Sequence, residues 1–264
     1  MLIDVSGKVV LLTGVGRGIG REIFRTFVDE GATVVALDVN EPDLASAAEV
    51  LAEAGAPGRV HVADVRDLPR IEEVVQQTVD EFGRIDVLIN NAGVDRGGPV
   101  ETYDPANWDL VQEINVKGVF HTCRAVTPVM KAQNSGRILN AASFAAILPI
   151  VGSGAYAASK AAVAQFSRVL AGELGPWNIT VNAYAPGMVP TTMNNFADRS
   201  EAEQERLLDT LTLRRWGDKA DVARLLCFLA SDLAGYITGT LIDVSGGKLA
   251  TQIPRLAYEW AGME

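Results

Sequence analysis

The chain has 264 residues, 48% hydrophobic and 21% charged, enough to bury a substantial core in one large α/β domain or two small ones. Its net charge of −10, with no Lys/Arg cluster, argues against nucleic-acid partners, and no long uncharged apolar run offers a membrane-spanning helix. Two cysteines without a CxxC and two histidines argue against a zinc site.

Taken in order, the apolar runs at 8–13, 33–38, 59–64, 86–91, 136–143, 179–186 and 240–244 read as strands. Their near-continuous Val, Ile and Leu content predicts burial on both faces, as in a parallel sheet. Between them, amphipathic spacing predicts helices near 19–30, 42–54, 68–82, 104–132 (broken), 155–175 and 219–231. This alternation predicts a doubly wound, Rossmann-type parallel sheet of about seven strands with helices on both faces. No linker or composition shift divides the chain, so residues 1–264 are expected to form a single domain. A polar excursion at 187–218 suggests a substrate loop at 188–215, and the tail 248–264, with Tyr258 and Trp260, is expected to dock rather than fray. The first residues, MLIDVSGK, lack a basic region and a long apolar run, so no signal peptide is expected. Cys123 and Cys227 read as core residues, and the expected compartment is the reducing cytoplasm.

The first strand runs into TGVGRGIG, residues 13–20, and a helical period follows at once. A strand–turn–helix with this glycine density either makes an idle turn or brings a pyrophosphate onto a helix N-terminus. The GxGxxG spacing fails at Ile19, and GxxxGxG fits through Gly14, Gly18 and Gly20. Asp38, closing the second strand, favours the dinucleotide, because a carboxylate there accepts hydrogen bonds from the adenosine ribose hydroxyls. In YAASK, Tyr156 and Lys160 stand at i and i+4 on one helix face. Ser143 lies at the carboxyl end of the fifth strand, where open α/β sheets place ligands. Taking a hydride from an alcohol carbon requires a base for the hydroxyl proton, and an ammonium near a tyrosine is expected to lower its pKa.

With TGxxxGxG, NNAG at 90–93, Asn115, the Ser with Y-x-x-x-K, APG before Thr191 and SGG at 245–247, the sequence resembles the short-chain dehydrogenase/reductase family over nearly its whole length. Val15 in place of a commoner alanine, SGG in place of DGG and the longer tail are its departures. The resemblance implies that Tyr156 is the general base, that Lys160 lowers its pKa and holds the nicotinamide ribose, that Ser143 orients the substrate oxygen, and that Asn115 holds a water. It further implies a cofactor shell of Gly14, Arg17, Gly18, Ile19, Gly20, Asp38, Asp64, Val65, Asn90, Asn91, Ala92, Gly93, Pro186, Gly187, Val189 and Thr191, together with Tyr156 and Lys160.

Candidate substrate contacts are Asp95, Arg96, Ser143, Phe144, Ala145, Val151, Tyr156, Met188, Met193 and Asn194. His61 and His121 match no site position and read as structural. Asp38 would repel a 2′-phosphate and outweighs Arg17, so NAD is expected over NADP. The expected activity is oxidation of a small polar secondary alcohol (a polyol, sugar or diol) or reduction of the corresponding ketone. A 3-oxoacyl-thioester reductase is the alternative, and an inactive dinucleotide sensor is disfavoured by the intact Tyr and Lys. The resemblance implies a homotetramer, with a homodimer as the alternative, and the apolar helix after Tyr156 suits such an interface. No metal, nucleic acid or membrane partner is expected.

Overall fold

The structure, a computed structural model, describes residues 3–194 and 199–263; part of the expected substrate loop, 195–198, lies outside the described residues. Among these, seven parallel strands form one sheet: β1 (Val9–Thr13), β2 (Thr33–Asp38), β3 (Gly58–Val62), β4 (Val87–Asn90), β5 (Gly136–Ala141), β6 (Ile179–Pro186) and β7 (Leu241–Val244). Their order is β3-β2-β1-β4-β5-β6-β7, as expected for a doubly wound fold. The helices are α1 (Gly18–Asp29), α2 (Glu41–Ala54), α3 (Leu68–Phe82), α4 (Pro105–Gln112), α5 (Gly118–Gln133), α6 (Gly154–Leu174), α7 (Glu201–Leu208), α8 (Lys219–Ala230) and α9 (Arg255–Trp260).

Strand periodicity builds the two halves of the core. Val10 and Leu12 of β1 pack with Phe24, Phe27 and Leu226 from α1 and α8. Leu11, between them, points the other way onto Val75, Val126 and Val163 from α3, α5 and α6. Both faces of the central strands are therefore dry, which explains their unbroken apolar runs. Cys123 and Cys227 are buried free thiols, as expected. The strand order reverses between β1 and β4, so the chain ends leaving these two strands frame a crevice at the carboxyl edge of the sheet.

The break expected within 104–132 is a π-helical turn, Glu113–Lys117, between α4 and α5. Two elements differ from the periodicity reading. Ser143 lies beyond the end of β5, where it opens a 3₁₀ turn at Phe144–Ala146. The polar excursion contains α7, whose capping box pairs Ser200 with Glu203. The tail docks through Tyr258, whose hydroxyl donates to the Thr212 carbonyl at 2.9 Å, and through Arg255, paired with Asp209 at 2.8 Å. Trp260, by contrast, is 79% exposed and packs little within the chain.

Candidate active site

The glycine turn is shaped by close approaches. Gly14 has φ +73°, and a Cβ there would meet the Ala92 Cα at 2.7 Å. A Cβ on Gly20 would overlap the Gly14 carbonyl, which also accepts a hydrogen bond from Asn91 Nδ2 at 2.8 Å. Thr13 Oγ1 accepts from the backbone N–H groups of Asn91 and Ala92, tying the ends of β1 and β4 together. Helices α2, α3, α4 and α8 each begin with a side-chain cap, whereas α1 begins at exposed Arg17 without one. Helices α5, α6 and α9 also lack such a cap, so it is the glycine turn that marks this N-terminus as a candidate anion site.

Asp38 is pinned opposite this turn. Its Oδ2 accepts from the Gly16 N–H at 2.8 Å and its Oδ1 from the Asn40 N–H at 3.1 Å. Each carboxylate oxygen retains capacity for a further donor. Asp43, absent from the motif reading, brings a second carboxylate to the same spot: a Cβ on Gly16 would meet Asp43 Oδ2 at 2.8 Å and Asp38 Oδ2 at 3.0 Å. Its signal was its place in the first turn of α2, three residues after the Asn40 cap. Thr191 faces the turn from the other side, its Cγ2 3.4 Å from where a Gly18 Cβ would sit. Gly187 is packed closely against Ser245, and Val189 is buried. Pro186 ends β6, and Ile19 packs partly buried against the core. These cradles and donors fit a dinucleotide.

Some expected contacts are engaged elsewhere. Asn90 is turned into the interior, where its Nδ2 donates to Asn140 Oδ1 at 2.8 Å and its Oδ1 accepts from Thr122 at 2.6 Å. It lies at the inward phase of β4, and Asn91 carries the contact to the glycine turn. The Asp64 carboxylate is gripped by Arg66, which holds its pKa below the usual value. The Val65 side chain packs against Gly118, and its carbonyl meets His121 Nδ1 at 3.0 Å, a structural role for that histidine. Asn194 caps its own loop, accepting from the Thr191 N–H and donating to the Val189 carbonyl.

At the crevice floor, Lys160 is 3% exposed and its Nζ donates to the Ala141 carbonyl at 2.8 Å. Gly93 makes room for it, since a Cβ there would stand 3.3 Å from Nζ and 3.2 Å from Asn115 Oδ1. Asn115 sits in the π-helical turn, fully buried, where it accepts from the Val94 N–H at 2.8 Å and donates to the Val94 carbonyl at 2.9 Å. It also donates to Ser159 Oγ at 3.0 Å, and Ser159 donates to the Tyr156 carbonyl at 2.7 Å. Ser159, unremarked in YAASK, therefore links the asparagine to the tyrosine's helix. The π-turn offers a reason for the broken helix: it turns Asn115 onto the strand-end loop.

Tyr156 is half-buried, with Lys160 Nζ 5.6 Å from its ring centre. Burial pushes the phenol up to about 12, partly offset by a hydrogen bond with Ser143, and Asp95 adds to the rise. Burial likewise brings Lys160 down to about 8. At the phenol, dehydration outweighs the lowering expected from the Lys160 ammonium.

Around this floor, Phe144, Ala145 and Met188 are buried, Met193 is half exposed, and Val151 is fully exposed at the rim beside Ile147, Leu148 and Ile150. Arg96 points outward, its Nη1 on the Asp95 carbonyl at 3.2 Å. No cluster of metal-binding side chains occurs among the described residues.

A family model described as enoyl-(acyl carrier protein) reductase matches residues 14–248. The chain belongs to the short-chain dehydrogenase/reductase family. It is an oxidoreductase of that family, whose members use NAD or NADP. It is 41% identical over 246 residues to 3-oxoacyl-[acyl-carrier-protein] reductase FabG of Thermotoga maritima, covering 92% of this chain and 98% of that protein. It also superimposes on gluconate 5-dehydrogenase from Burkholderia cenocepacia in complex with NADP and tartrate. That match has a TM-score of 0.90 at 29% identity and covers 94% of this chain and 98% of the other. An NAD⁺-bound xylitol dehydrogenase matches with a TM-score of 0.86 at 32% identity, covering 92% and 99%. Short-chain relatives of the same fold thus hold either dinucleotide. No helix among the described residues is long and apolar enough to cross a membrane.

Proposed function

We propose that this oxidoreductase is an NAD-dependent dehydrogenase of small polar secondary alcohols, working in reverse as a ketone reductase. The observation that carries this reading is the convergence of Ser143, Tyr156 and Lys160 on the crevice floor beside Gly93. The open N-terminus of α1, Gly14, Gly18 and Gly20 would hold the pyrophosphate, Asp38 the adenosine ribose, and Lys160 the nicotinamide ribose. When bound, the oxidised nicotinamide would supply a hydride acceptor for the carbinol carbon. Ser143 orients the substrate oxygen by hydrogen bonding, and Tyr156 takes the hydroxyl proton on its phenolate oxygen. Asn115 keeps the Val94 segment and α6 in register, so that Gly93 can stand against Lys160. Residues 188–194 and 199–215, the latter carrying the docked tail, would line the outer wall.

Asp38 and Asp43 favour NAD, because a 2′-phosphate would enter the field of two carboxylates. Asp38→Ser should weaken NAD binding and narrow the preference for NAD over NADP by at least tenfold in kcat/KM, a size of about 1.4 kcal/mol. A wild-type protein that uses NADP(H) in preference to NAD(H) would show that Arg17 outweighs the carboxylates.

A second reading, 3-oxoacyl-thioester reduction, is favoured by the likeness to the Thermotoga maritima reductase and by the exposed apolar rim of Ile147, Leu148, Ile150 and Val151. A panel of secondary alcohols with NAD, run against reduction of a 3-oxoacyl thioester, separates the two. Turnover of the thioester alone would replace the leading reading.

A further inference from the structure

The turn after β7 carries a lysine to the catalytic end of the crevice. Gly187, in the segment assigned to the nicotinamide, donates its N–H to the Val244 carbonyl at 3.0 Å. A Cβ on Gly187 would stand 2.5 Å from the Ser245 Cα, so the turn 245–248 lies directly against that segment. Its own path is fixed at three points. Ser245 Oγ accepts from the Lys248 N–H at 3.0 Å, the Gly246 carbonyl from the Leu213 N–H at 3.0 Å, and the Gly247 carbonyl from the Thr212 hydroxyl at 2.9 Å. Lys248 therefore stands at the carboxyl edge of the sheet, where open α/β folds take their ligands. Its Nζ lies 6.0 Å from the ring centre of Phe144, the residue that follows Ser143.

At that place the ammonium meets no acid. Nζ donates to the Thr210 hydroxyl, which in turn donates to the Leu207 carbonyl at 2.6 Å, and it forms no ion pair among the described residues. Asp209, next to Thr210 in the chain, is already held by Arg214 at 3.0 Å and by Arg255 of the docked tail at 2.8 Å. The Lys248 side chain is part-exposed, and its remaining N–H donors are uncommitted. Partial dehydration lowers its pKa, an effect that an anion beside it would reverse. In a chain of net charge −10, a cation drawn in beside the catalytic serine's neighbour and left without a counter-ion suits an anionic group on the substrate.

Resting on the dehydrogenase reading above, we propose that Lys248 is a specificity-determining residue that pairs with a carboxylate on the substrate, so that the preferred substrate is a hydroxy acid, oxidised to the corresponding oxo acid. One ammonium matches one carboxylate. Ser143 and Tyr156 take the oxygen on the reacting carbon and Lys248 takes the acid group, which orients the molecule at two points. Neutral alcohols reach the same floor and turn over with a higher KM.

The test runs the reaction as ketone reduction with saturating NADH, on matched pairs: 4-oxopentanoate against its methyl ester, and 5-oxohexanoate against its methyl ester. Each pair shares one carbon skeleton around the ketone and differs in charge. Wild type should favour each acid by roughly 10–100-fold in kcat/KM, the range expected for a hydrogen bond between charged groups. Lys248→Met keeps the length and drops the charge; it should bring that ratio to within about threefold, through a raised KM for the acid with little change in its kcat. Lys248→Arg keeps the charge and should retain a preference of at least about fivefold. An acid preference that survives Lys248→Met, or a wild type that treats acid and ester alike, overturns the assignment of Lys248 while leaving the dehydrogenase reading intact. So does a loss in Lys248→Met that falls equally on acid and ester, since that marks a structural role. Failure to reduce any of these ketones, whether or not a 3-oxoacyl thioester is reduced, overturns both.

Discussion

Tyr156→Phe should lower turnover of a secondary alcohol by at least ~10²–10⁴, the usual consequence of losing a general base. Only a hydroxyl is removed, from a half-buried side chain that meets the Ser143 hydroxyl and has Lys160 beside its ring. The fold and NAD affinity should therefore persist, checked by thermal melting and by direct titration of the dinucleotide. The hydrogen bond with Ser143 is lost as well, so the substrate oxygen keeps one orienting partner and no proton acceptor. Near wild-type turnover in this variant would show that the proton leaves by another route.

Lys160→Ala is expected to damage two functions together. The Nζ is buried against Gly93 and the Ala141 carbonyl, at the place assigned to the nicotinamide ribose. Cofactor affinity and turnover should both fall, whereas Tyr156→Phe should spare affinity. Lys160→Met, which keeps the length of the side chain and drops the charge, separates lost packing from lost chemistry and should behave like the alanine variant. The pH profile adds a further readout. Alcohol oxidation needs the phenolate, so its rate rises with pH through the tyrosine ionisation. Burial pushes that ionisation up to about 12, above the ordinary value for tyrosine. With NAD bound, the positive ring and the ammonium both favour the phenolate, and the wild-type limb should fall below pH 10. Without the ammonium, any residual rate in Lys160→Ala should ionise at higher pH. A limb unmoved by the substitution would remove Lys160 from the account of the proton.

The parts of the site that could be read in the sequence are those where chemistry restricts residue type locally. Gly14, Gly18 and Gly20 stand where the chain turns tightly or backbones nearly touch, and Asp38 ends a strand beside them. Strand and helix spans followed from periodicity because both faces of the central sheet are dry. What could not be read depends on contacts between distant segments. The π-turn at Glu113–Lys117 is held by Asn115 gripping Val94, a loop residue from another strand end. Asn90 and Asn91 are chemically identical neighbours, and only the phase of β4 decides which one enters the interior. The tyrosine's upward pKa arises from packing around α6, which the spacing of Tyr156 and Lys160 does not report. Helix α7 was legible in principle, since Ser200 and Glu203 form the S-x-x-E signature, but the polar run around it obscured the period.

On the proposed reading, this crevice floor supports hydride transfer from a polar secondary alcohol to NAD. It is tested most directly by supplying NAD with butane-2,3-diol carrying deuterium on both carbinol carbons, and weighing the reduced dinucleotide formed by the wild-type protein. Each reduced nicotinamide should carry one deuterium, and Tyr156→Phe should give no such product above about a hundredth of the wild-type rate. Reduced dinucleotide without the label, or none at all where a 3-oxoacyl thioester is reduced readily, would contradict it.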